Sequence, residues 1–490
     1  MRAPRRLAAL AAIALLASCA APARQAPPPL PAEAPQADRA APPALGPPPE
    51  LRVPPQRKFE LSNGLKVRLV EYHRLPIVAL HLVLLEAGAV RDPGDRGGEA
   101  SFTAAMVTEG TKTRSATQIS DELGFLGATL GAGAGMDAAY LSGYSLSRHL
   151  PRFVELLADV TVNPAFPAAD FARVQDQRRV ALLQQRDQPG AVASKTFGPL
   201  YWGSHPYGRW ATGTIASVAA TTREDLARFH GEHWRPGASE LVVVGDVDEP
   251  TLRPLLEKAF AGWTGQAPQR PAAAERPDGA LRSVLVEKSP APQTFLILGM
   301  PGMARGSPDY VPAQVLFHVL GGGSASRLFR DLREKKGYTY GLSARESAQR
   351  LGGVSYLGGS VRADATGQAI RDLLAEVEAL RATPVPEGEL ADAKGGITLA
   401  LPAEFATTAG IAGKLADQVV YGLPDDWWSR YPAEVRAVSA ADAQRVAKRY
   451  LDPAGLVTVM VGDPAVVKPQ LSGLPIGSVE VRSAPAAGAP

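Results

Sequence analysis

Two stretches of the chain repeat one order of apolar and polar positions. A Ser or Thr followed three residues later by Asp opens an apolar-periodic segment, a Pro ends it, and an apolar run leads into Gly-Asp; this order occupies residues 222–246 and again 439–463. Its landmarks Asp225, Pro236 and Gly245 each recur 217 residues later. The pattern predicts a capped helix followed by a buried strand. A single gap-free offset indicates an internal duplication in which both halves close in the same way.

The rest of the first half alternates between strand and helix periodicity. Residues 59–67 alternate about Asn63-Gly64, which predicts a β-hairpin with a type I′ turn, and residues 77–87 predict a further strand. Helical spacing covers residues 101–107, 115–126, 149–157 and 168–185. Hairpins mixed with helices predict an α+β fold of two homologous α/β-sandwich domains rather than a doubly wound parallel sheet.

Three stretches rich in Pro and Ala, at residues 20–56, 264–280 and from 474 onward, have compositions that bury no core. They set the predicted domain boundaries. The predicted organisation is a tether at 19–56, a first domain at 57–263, a linker at 264–282, a second domain at 283–473 and a disordered tail at 474–490. In the polyproline form the tether would reach on the order of 100 Å.

The segment before the tether has the features of a bacterial secretion signal. Arginines precede an apolar run at residues 7–17 that is too short to span a bilayer stably. The run ends in Leu16-Ala17-Ser18-Cys19, which resembles a lipobox and predicts a signal peptide at 1–18 with lipidation of Cys19. Ala20 in place of Asp favours the periplasmic face of the outer membrane, with the lipid as the membrane contact. The alternative is an ordinary secretory signal with a chance cysteine.

Composition excludes several partners and chemistries. Apolar residues make up 45% and charged residues 21% of the 490 residues, as in soluble globular proteins. The formal charge of +3 forms no basic stripe interleaved with aromatics, so nucleic acid is not an expected partner. Cys19 is the single cysteine, which excludes an internal disulfide and a cysteine-rich metal cluster.

Longer phrases of the sequence resemble one peptidase family. They are residues 59–67, 86–89, 98–102 and 109–111 in the first half, and residues 320–323, 326–329 and 332–340 in the second. They resemble the insulinase (pitrilysin) zinc peptidases, in the branch similar to the mitochondrial processing peptidases, across roughly residues 57–470. The resemblance implies that the two domains form a clam-like half of a closed chamber.

The zinc motif of that family is degenerate in this chain. Active relatives carry H-x-x-E-H, in which two histidines bind the metal and the glutamate is the general base. Ser101, Ala104 and Ala105 stand at those three positions, and the family's third ligand, a glutamate, falls near residues 182–184, which read Leu-Leu-Gln. Alanine has no lone pair to offer a metal. We therefore expect no metal in this chain, with a relocated site at His230 and His233 as the alternative.

The resemblance also implies residues that contact substrate. Arg333 and Tyr340 match an arginine and a tyrosine, seven residues apart, that face the scissile carbonyl in relatives. A guanidinium and a phenol can anchor a peptide and donate to a developing oxyanion. The alternative is that Arg333 ends a charged helix and Tyr340 belongs to the next strand. The glycines at 321–323, Gly321, Gly322 and Gly323, are predicted to let the backbone approach substrate, or else to cap a helix.

The predicted function follows from these two observations. The chain is expected to be inactive alone and to form a heterodimer with a homologous subunit that carries H-x-x-E-H and the zinc ion, cleaving unfolded peptides in the cell envelope. Arg333 and Tyr340 would then act in trans. The alternatives are a structural or peptide-binding subunit with no role in chemistry, and a self-sufficient hydrolase with a relocated metal.

Overall fold

The structure of the protein is a computed structural model that describes residues 49–94, 96–269 and 281–483. The predicted signal peptide at 1–18, Cys19 and most of the predicted tether lie outside the described residues, as does the centre of the predicted linker. Their assignments stay predictions.

The first half is built from one sheet and its flanking helices. Its strands are β1 (Arg57–Glu60), β2 (Lys66–Glu71), β3 (Ile77–Leu84), β4 (Thr129–Ala134), β5 (Ala139–Leu146) and β6 (Ser239–Gly245). Its helices are α1 (Glu99–Met106), α2 (Ala116–Leu126), α3 (Leu150–Val162), α4 (Ala168–Gln184), α5 (Pro189–Trp202), α6 (Ile215–Ala220), α7 (Arg223–His233) and α8 (Glu249–Phe260).

The second half follows the same plan. Its strands are β7 (Arg282–Glu287), β8 (Gln293–Pro301), β9 (Gly341–Ala348), β10 (Gly353–Arg362), β11 (Val457–Gly462) and β12 (Val479–Arg482). Its helices are α9 (Tyr310–Gly321), a π-helical segment (Phe329–Lys335), α10 (Thr366–Ala382), α11 (Glu387–Glu404), α12 (Thr408–Tyr421), α13 (Trp427–Ala437), α14 (Ala440–Tyr450) and α15 (Pro464–Val467). Across the described ranges, none of the helices has the length and apolar character needed to cross a bilayer.

The two six-stranded sheets have nearly the same topology. The strand order is β1-β2-β6-β3-β5-β4 in the first and β12-β7-β11-β8-β10-β9 in the second. In each sheet one internal pair is parallel, β2 with β6 and β7 with β11, and the next three pairings are antiparallel. The α+β fold of two homologous sandwich domains is therefore confirmed.

The closing helix and strand of each half repeat as the sequence pattern predicts. Thr222 and Ser439 each accept a hydrogen bond from the amide of the Asp three residues later, and that Asp bonds back to the cap residue, so both capping boxes form. Helices α7 and α14 begin and end 217 residues apart, and β6 and β11 both end at the glycine of the Gly-Asp pair.

The two halves exchange one helix each. Helix α5 of the first half packs on β8 and β11 of the second sheet and buries Phe197 and Tyr201 there. Helix α12 of the second half packs on β3 and β6 of the first sheet and buries Ile411 and Leu415. Each sheet thus has its own helices on one face and its neighbour's helix on the other, so that the inner face of each half is covered by the other half.

The predicted type I′ hairpin turn is wrong, although the hairpin is present. Strands β1 and β2 pair antiparallel, but a five-residue loop joins them, and Gly64 has a positive φ (87°) while Asn63 does not. The Asn63 side chain instead donates to the carbonyl oxygens of Phe260 and Trp263, at 3.0 Å each. A contact with the sequence-distant end of α8 therefore determines the conformation of the loop between β1 and β2.

Two predicted boundaries also need correction. The predicted disordered tail at 474–490 begins with ordered chain, because Leu474 and Ile476 are buried and β12 pairs in parallel with β7. At the other end, Leu51 and Val53 of the predicted tether pack against the apolar core that the second half shares with the inner face of the first sheet. Both segments were assigned from a Pro/Ala-rich composition, and a few apolar residues that reach a sheet edge or core are enough to order them.

Candidate functional site

Helix α1 carries the three degenerate zinc positions and is held rigidly at its start. The amides of Gly98 and Ala100 donate to the Asp92 carboxylate at 2.6 and 2.7 Å. Gly98 has φ of 100°, and a side chain there would meet the Thr212 carbonyl oxygen at 2.8 Å. Burial raises the pKa of Asp92 to about 7, against the two amide bonds, which favour its charged form. The N-terminus of α1 is thus clamped between two loops.

An arginine lies beside the first of these positions. Arg178 of α4 donates from Nη2 to the Ser101 hydroxyl at 2.6 Å and to the Thr212 carbonyl oxygen at 3.3 Å. Its guanidinium lies 5.0 Å from the centre of the Phe102 ring. Ala104 is fully buried in the first core, and Ala105 packs against the cluster around Phe102. The helix therefore presents the Ser101 hydroxyl and the Ala105 methyl group toward α4, and the Ala104 methyl group toward the sheet.

The charge at this position opposes metal binding. Arg178 has no ion pair with any described residue, and burial lowers its pKa to about 10, so the guanidinium stays protonated at neutral pH. A cation next to Ser101 repels a second cation, and no side chain at Ser101, Ala104 or Ala105 offers a ligand comparable to imidazole or carboxylate. The residues present do not fit a zinc ion.

The remaining ligand candidates are also accounted for. Leu182 is buried in the cluster with Phe102, while Leu183 is partly exposed at the surface of α4. His230 bonds through Nε2 to the Thr161 carbonyl oxygen at 2.8 Å, and burial lowers its pKa to about 4. His233 packs on the Phe229 ring instead. Over the described parts of the chain, no three His, Cys, Asp or Glu side chains cluster closely enough to hold a metal.

Arg333 and Tyr340 are brought together in the second half. Arg333 lies in the π-helical segment, and its guanidinium carbon is 4.5 Å from the Tyr340 ring centre and 4.4 Å from that of Phe329. Tyr340 is 83% exposed, so its hydroxyl faces solvent. The Arg333 side chain has no hydrogen bond or ion pair with the described residues, which leaves its N–H groups free for a ligand.

The turn that carries Tyr340 is fixed by local contacts. The Thr339 hydroxyl donates to the Ser360 carbonyl oxygen at 2.6 Å and accepts from the Gly341 amide at 2.9 Å. Lys336 pairs with Asp331 and Asp372 at 2.6 and 2.9 Å. π-helical turns widen the helix locally and recur at functional sites. The exposed Tyr340 and the half-buried Arg333 are therefore held by well-bonded neighbours.

The three glycines end helix α9. Gly321 is its last residue and Gly322 its C-cap, while a side chain at Gly323 would meet open space. A side chain at Gly321 would lie 2.3 Å from the Ala344 amide nitrogen of β9. The glycines thus lie at the C-terminal end of a helix, as the alternative interpretation predicted. The absence of a side chain at Gly321 lets α9 approach β9 closely. Their contact with substrate stays a prediction.

Sequence reasoning missed the polar junction between the halves. The Tyr207 hydroxyl donates to Asp137 and accepts from the Leu351 amide at 2.9 Å, while Arg350 reaches Glu86 at 2.9 Å. Burial and the Asp137 charge raise the pKa of Tyr207. These residues are far apart in the chain, and no local sequence pattern predicts their contact. The same is true of Arg178, which reads as one of several arginines on a polar helix.

Family models match both halves of the chain. Residues 70–197 match the model of insulinase (peptidase family M16), and residues 220–397 match the model of the peptidase M16 inactive domain. An uncharacterized zinc protease of Mycobacterium bovis is 31% identical over 291 residues, which cover 58% of this chain and 66% of the relative. The chain thus spans just under two thirds of that relative's length.

Solved structures share the architecture. A peptidase M16 inactive domain from Pseudomonas fluorescens matches with a TM-score of 0.78 and 27% identity, covering 84% of this chain and 98% of that one. A protease from Helicobacter pylori matches with a TM-score of 0.76 and 20% identity, covering 83% and 99%, which shows a common fold. The fold of this chain therefore also occurs in solved structures.

Proposed function

Because the chain belongs to the insulinase (M16) family of peptidases, we propose that it is the non-metal subunit of a two-subunit zinc peptidase. It supplies Arg333 and Tyr340 to a peptide held at the H-x-x-E-H site of a homologous partner. One contrast supports this proposal. An arginine lies beside the degenerate zinc position, whereas Tyr340 is exposed and the half-buried Arg333 next to it has no polar side-chain partner among the described residues.

The two side chains have complementary roles in this proposal. The Arg333 guanidinium, stacked between Phe329 and Tyr340, can direct its N–H groups to a peptide carbonyl or carboxylate. The Tyr340 hydroxyl can donate to the oxygen on which negative charge develops. Neither group can generate a nucleophile, so both depend on the partner for hydrolysis.

The substrate and location follow the same proposal. Unfolded peptides are the substrates, since a chamber closed by two subunits excludes folded proteins, and zinc belongs to the partner. The chain is lipidated at Cys19 after removal of residues 1–18 and sits on the periplasmic face of the outer membrane.

A second candidate is a structural or peptide-binding subunit with no part in chemistry. It is favoured by the match of residues 220–397 to a domain described as inactive. In this case Tyr340 and Arg333 would bind the peptide without taking part in its hydrolysis.

The test mixes the purified chain with the homologous chain that carries H-x-x-E-H and measures cleavage of a fluorogenic peptide. Mixing should create activity absent from either chain alone. Tyr340→Phe should lower kcat about 100-fold with little change in KM, because one donor to the developing oxyanion is lost. Arg333→Ala should lower kcat and also raise KM, because it removes an anchor for the peptide as well.

Two matched variants control for general damage. Tyr338→Phe removes a hydroxyl two residues before Tyr340, and Arg330→Ala removes a guanidinium from the same π-helical segment; both should leave the mixed activity nearly unchanged. Full activity of Arg333→Ala and Tyr340→Phe would contradict the catalytic role and leave the peptide-binding candidate. Stoichiometric zinc in this chain alone would contradict both.

A further inference from the structure

The π-helical segment and the turn that leads into it carry three arginines, which are held in different ways. Arg327 donates from Nε to the Glu389 carboxylate at 2.7 Å, and Arg330 lies 3.6 Å from the same carboxylate. Among the described residues, no carboxylate or carbonyl oxygen pairs with the side chain of Arg333. Acidic side chains therefore fix the first two arginines, and something else must fix the third.

Aromatic rings hold Arg333 in place of a carboxylate. Its guanidinium carbon lies 4.4 Å from the ring centre of Phe329, four residues earlier, and 4.5 Å from the ring centre of Tyr340. The face of an aromatic ring attracts a cation but accepts none of the hydrogen bonds that an oxygen would take from it. The contact thus restrains the guanidinium while its N–H groups stay available to a ligand.

The two rings differ in how well they are anchored. Tyr340 is 83% exposed, whereas Phe329 is half-buried. Phe329 lies in a helical segment whose Leu328 and Leu332 are fully buried in the second core. Phe329 therefore offers Arg333 the better anchored of the two ring faces.

Restraint of this kind matters for a long and flexible side chain. An arginine loses rotamer entropy when it is fixed by a ligand, and this loss opposes binding. A neighbour that already restrains the guanidinium reduces the loss on binding. A carboxylate could restrain Arg333 as Glu389 restrains Arg327, but it would occupy the N–H groups that a peptide needs. An aromatic neighbour restrains the side chain without competing for those groups.

We infer that Phe329 is a positioning residue, which holds the Arg333 guanidinium in the orientation that binds the peptide and does not touch the reacting atoms itself. This inference rests on the proposed function, in which Arg333 anchors the peptide. Phe329 then acts on substrate only through Arg333. Its contribution must disappear when Arg333 is removed.

The test measures kcat and KM of the mixed subunits with a fluorogenic peptide, and beside it the binding of a fluorescein-labelled unstructured peptide to the purified chain alone. Phe329→Leu keeps an apolar side chain but removes the ring face, and should lower kcat/KM and peptide affinity about tenfold. Phe329→Tyr restores a ring and should return both to nearly the unmodified values. In a chain that already carries Arg333→Ala, Phe329→Leu should cause no further loss, because the two residues act as one unit.

Phe59→Leu is the matched control. This half-buried ring also contacts an arginine, with the Arg253 guanidinium carbon 4.2 Å from the ring centre. Arg253 is held without the ring, since it donates to Glu249 at 2.7 Å and to the Glu60 carbonyl oxygen at 3.1 Å. The control variant should leave both turnover and peptide binding unchanged.

The double variant separates positioning from general damage to the fold. A loss beyond that of Arg333→Ala alone overturns the inference, and so does full turnover and full binding by a folded Phe329→Leu. If mixing creates no activity, or if Arg333→Ala keeps full activity, the proposed function fails and the binding measurement decides. Equal weakening of peptide binding by Arg333→Ala and Phe329→Leu, with no further loss in the double variant, then supports the positioning role. Any other binding result, including no binding by the unmodified chain, overturns it.

Discussion

The two halves of the molecule share a strand register but differ in what lies on the inner face of each sheet. In the second half, Phe197 packs on Tyr356 and against Gly299. In the first half, the equivalent Tyr140 borders a cavity of about 520 Å³. The backbone plan is therefore compatible with both a filled and a hollow interface. Two positions account for the difference. Alignment of α5 and α12 from their first residues matches Phe197 with Ala416, and on the strands beneath them Gly299 pairs with Tyr356 as Val83 pairs with Tyr140.

The halves differ in their buried ionisable groups as well. Burial lowers the pKa of His230 in the first half to about 4, and its counterpart 217 residues later is the fully buried Ala447. Burial raises the pKa of Glu346 in the second half to about 7, and its register counterpart is Ala134. The duplicated fold thus holds a buried neutral histidine in one copy and a buried carboxyl group in the other. Each is accommodated by hydrogen bonds to the neighbouring backbone, His230 to the Thr161 carbonyl oxygen and Glu346 to the Met303 amide.

The largest expected effect comes from removing the buried Phe197 ring between α5 and the second sheet. Phe197→Ala should lower the free energy of unfolding by about 3–5 kcal/mol, because a fully buried ring is removed from between α5 and the second sheet. Urea unfolding followed by tryptophan fluorescence measures it. Phe125→Ala makes the same change at a ring that is 84% exposed and should cost less than about 0.5 kcal/mol. Equal losses would contradict the assigned packing.

A smaller effect depends on pH and concerns Glu346. The folded state holds a carboxyl whose pKa is raised from 4.5 to about 7, so wild-type stability falls as pH rises from 4.5 through 7. Glu346→Gln removes this cost and can still accept from the Met303 amide and bond to Ser355. The variant should be more stable by about 3 kcal/mol at pH 8 and by less than about 1 kcal/mol at pH 5.

The comparison is made by urea unfolding at both pH values. Glu334→Gln, at an exposed position of the π-helical segment, should change stability equally little at pH 5 and pH 8. A gain for Glu346→Gln that is larger at pH 5 than at pH 8 would mean that the carboxylate, not the carboxyl, is the favoured buried form.

The smallest expected effect tests what the halves have in common. Thr222→Ala and Ser439→Ala each remove the cap of an equivalent helix, and each should destabilise the protein by about 1 kcal/mol. Ser120→Ala, on the exposed side of α2, should be close to neutral. Unequal losses at the two caps would show that α7 and α14 differ in how strongly they support their halves.

The parts of the fold that depend on local pattern could be predicted from the sequence. The capping boxes at 222 and 439, the strands that follow them and the 217-residue offset all appear in the structure as predicted. The turn at Asn63 could not be predicted, because its side chain bonds to the distant end of α8. The strand at 479–482 was hidden by composition, since its order depends on the free edge of β7.

The candidate sites divide in the same way. The resemblance to the insulinase family implied Arg333 and Tyr340, and the structure stacks the two side chains against each other. The absence of the zinc-motif side chains at Ser101, Ala104 and Ala105 could also be seen by comparing the sequence with the family motif. The contact of Arg178 with Ser101 was not, because these residues lie 77 positions apart on helices that pack only in the folded chain.

The sequence by itself determined the duplicated α+β plan and the two closing motifs, since these depend on residue types at short and regular spacing, and its resemblance to the insulinase family located the degenerate zinc positions. Tertiary structure alone decided the exchange of α5 and α12, the position of Arg178 and the cavity beside Tyr140. Those features arise where side chains from distant segments compete for one space, and the size of each side chain matters only once its neighbour across the interface is known.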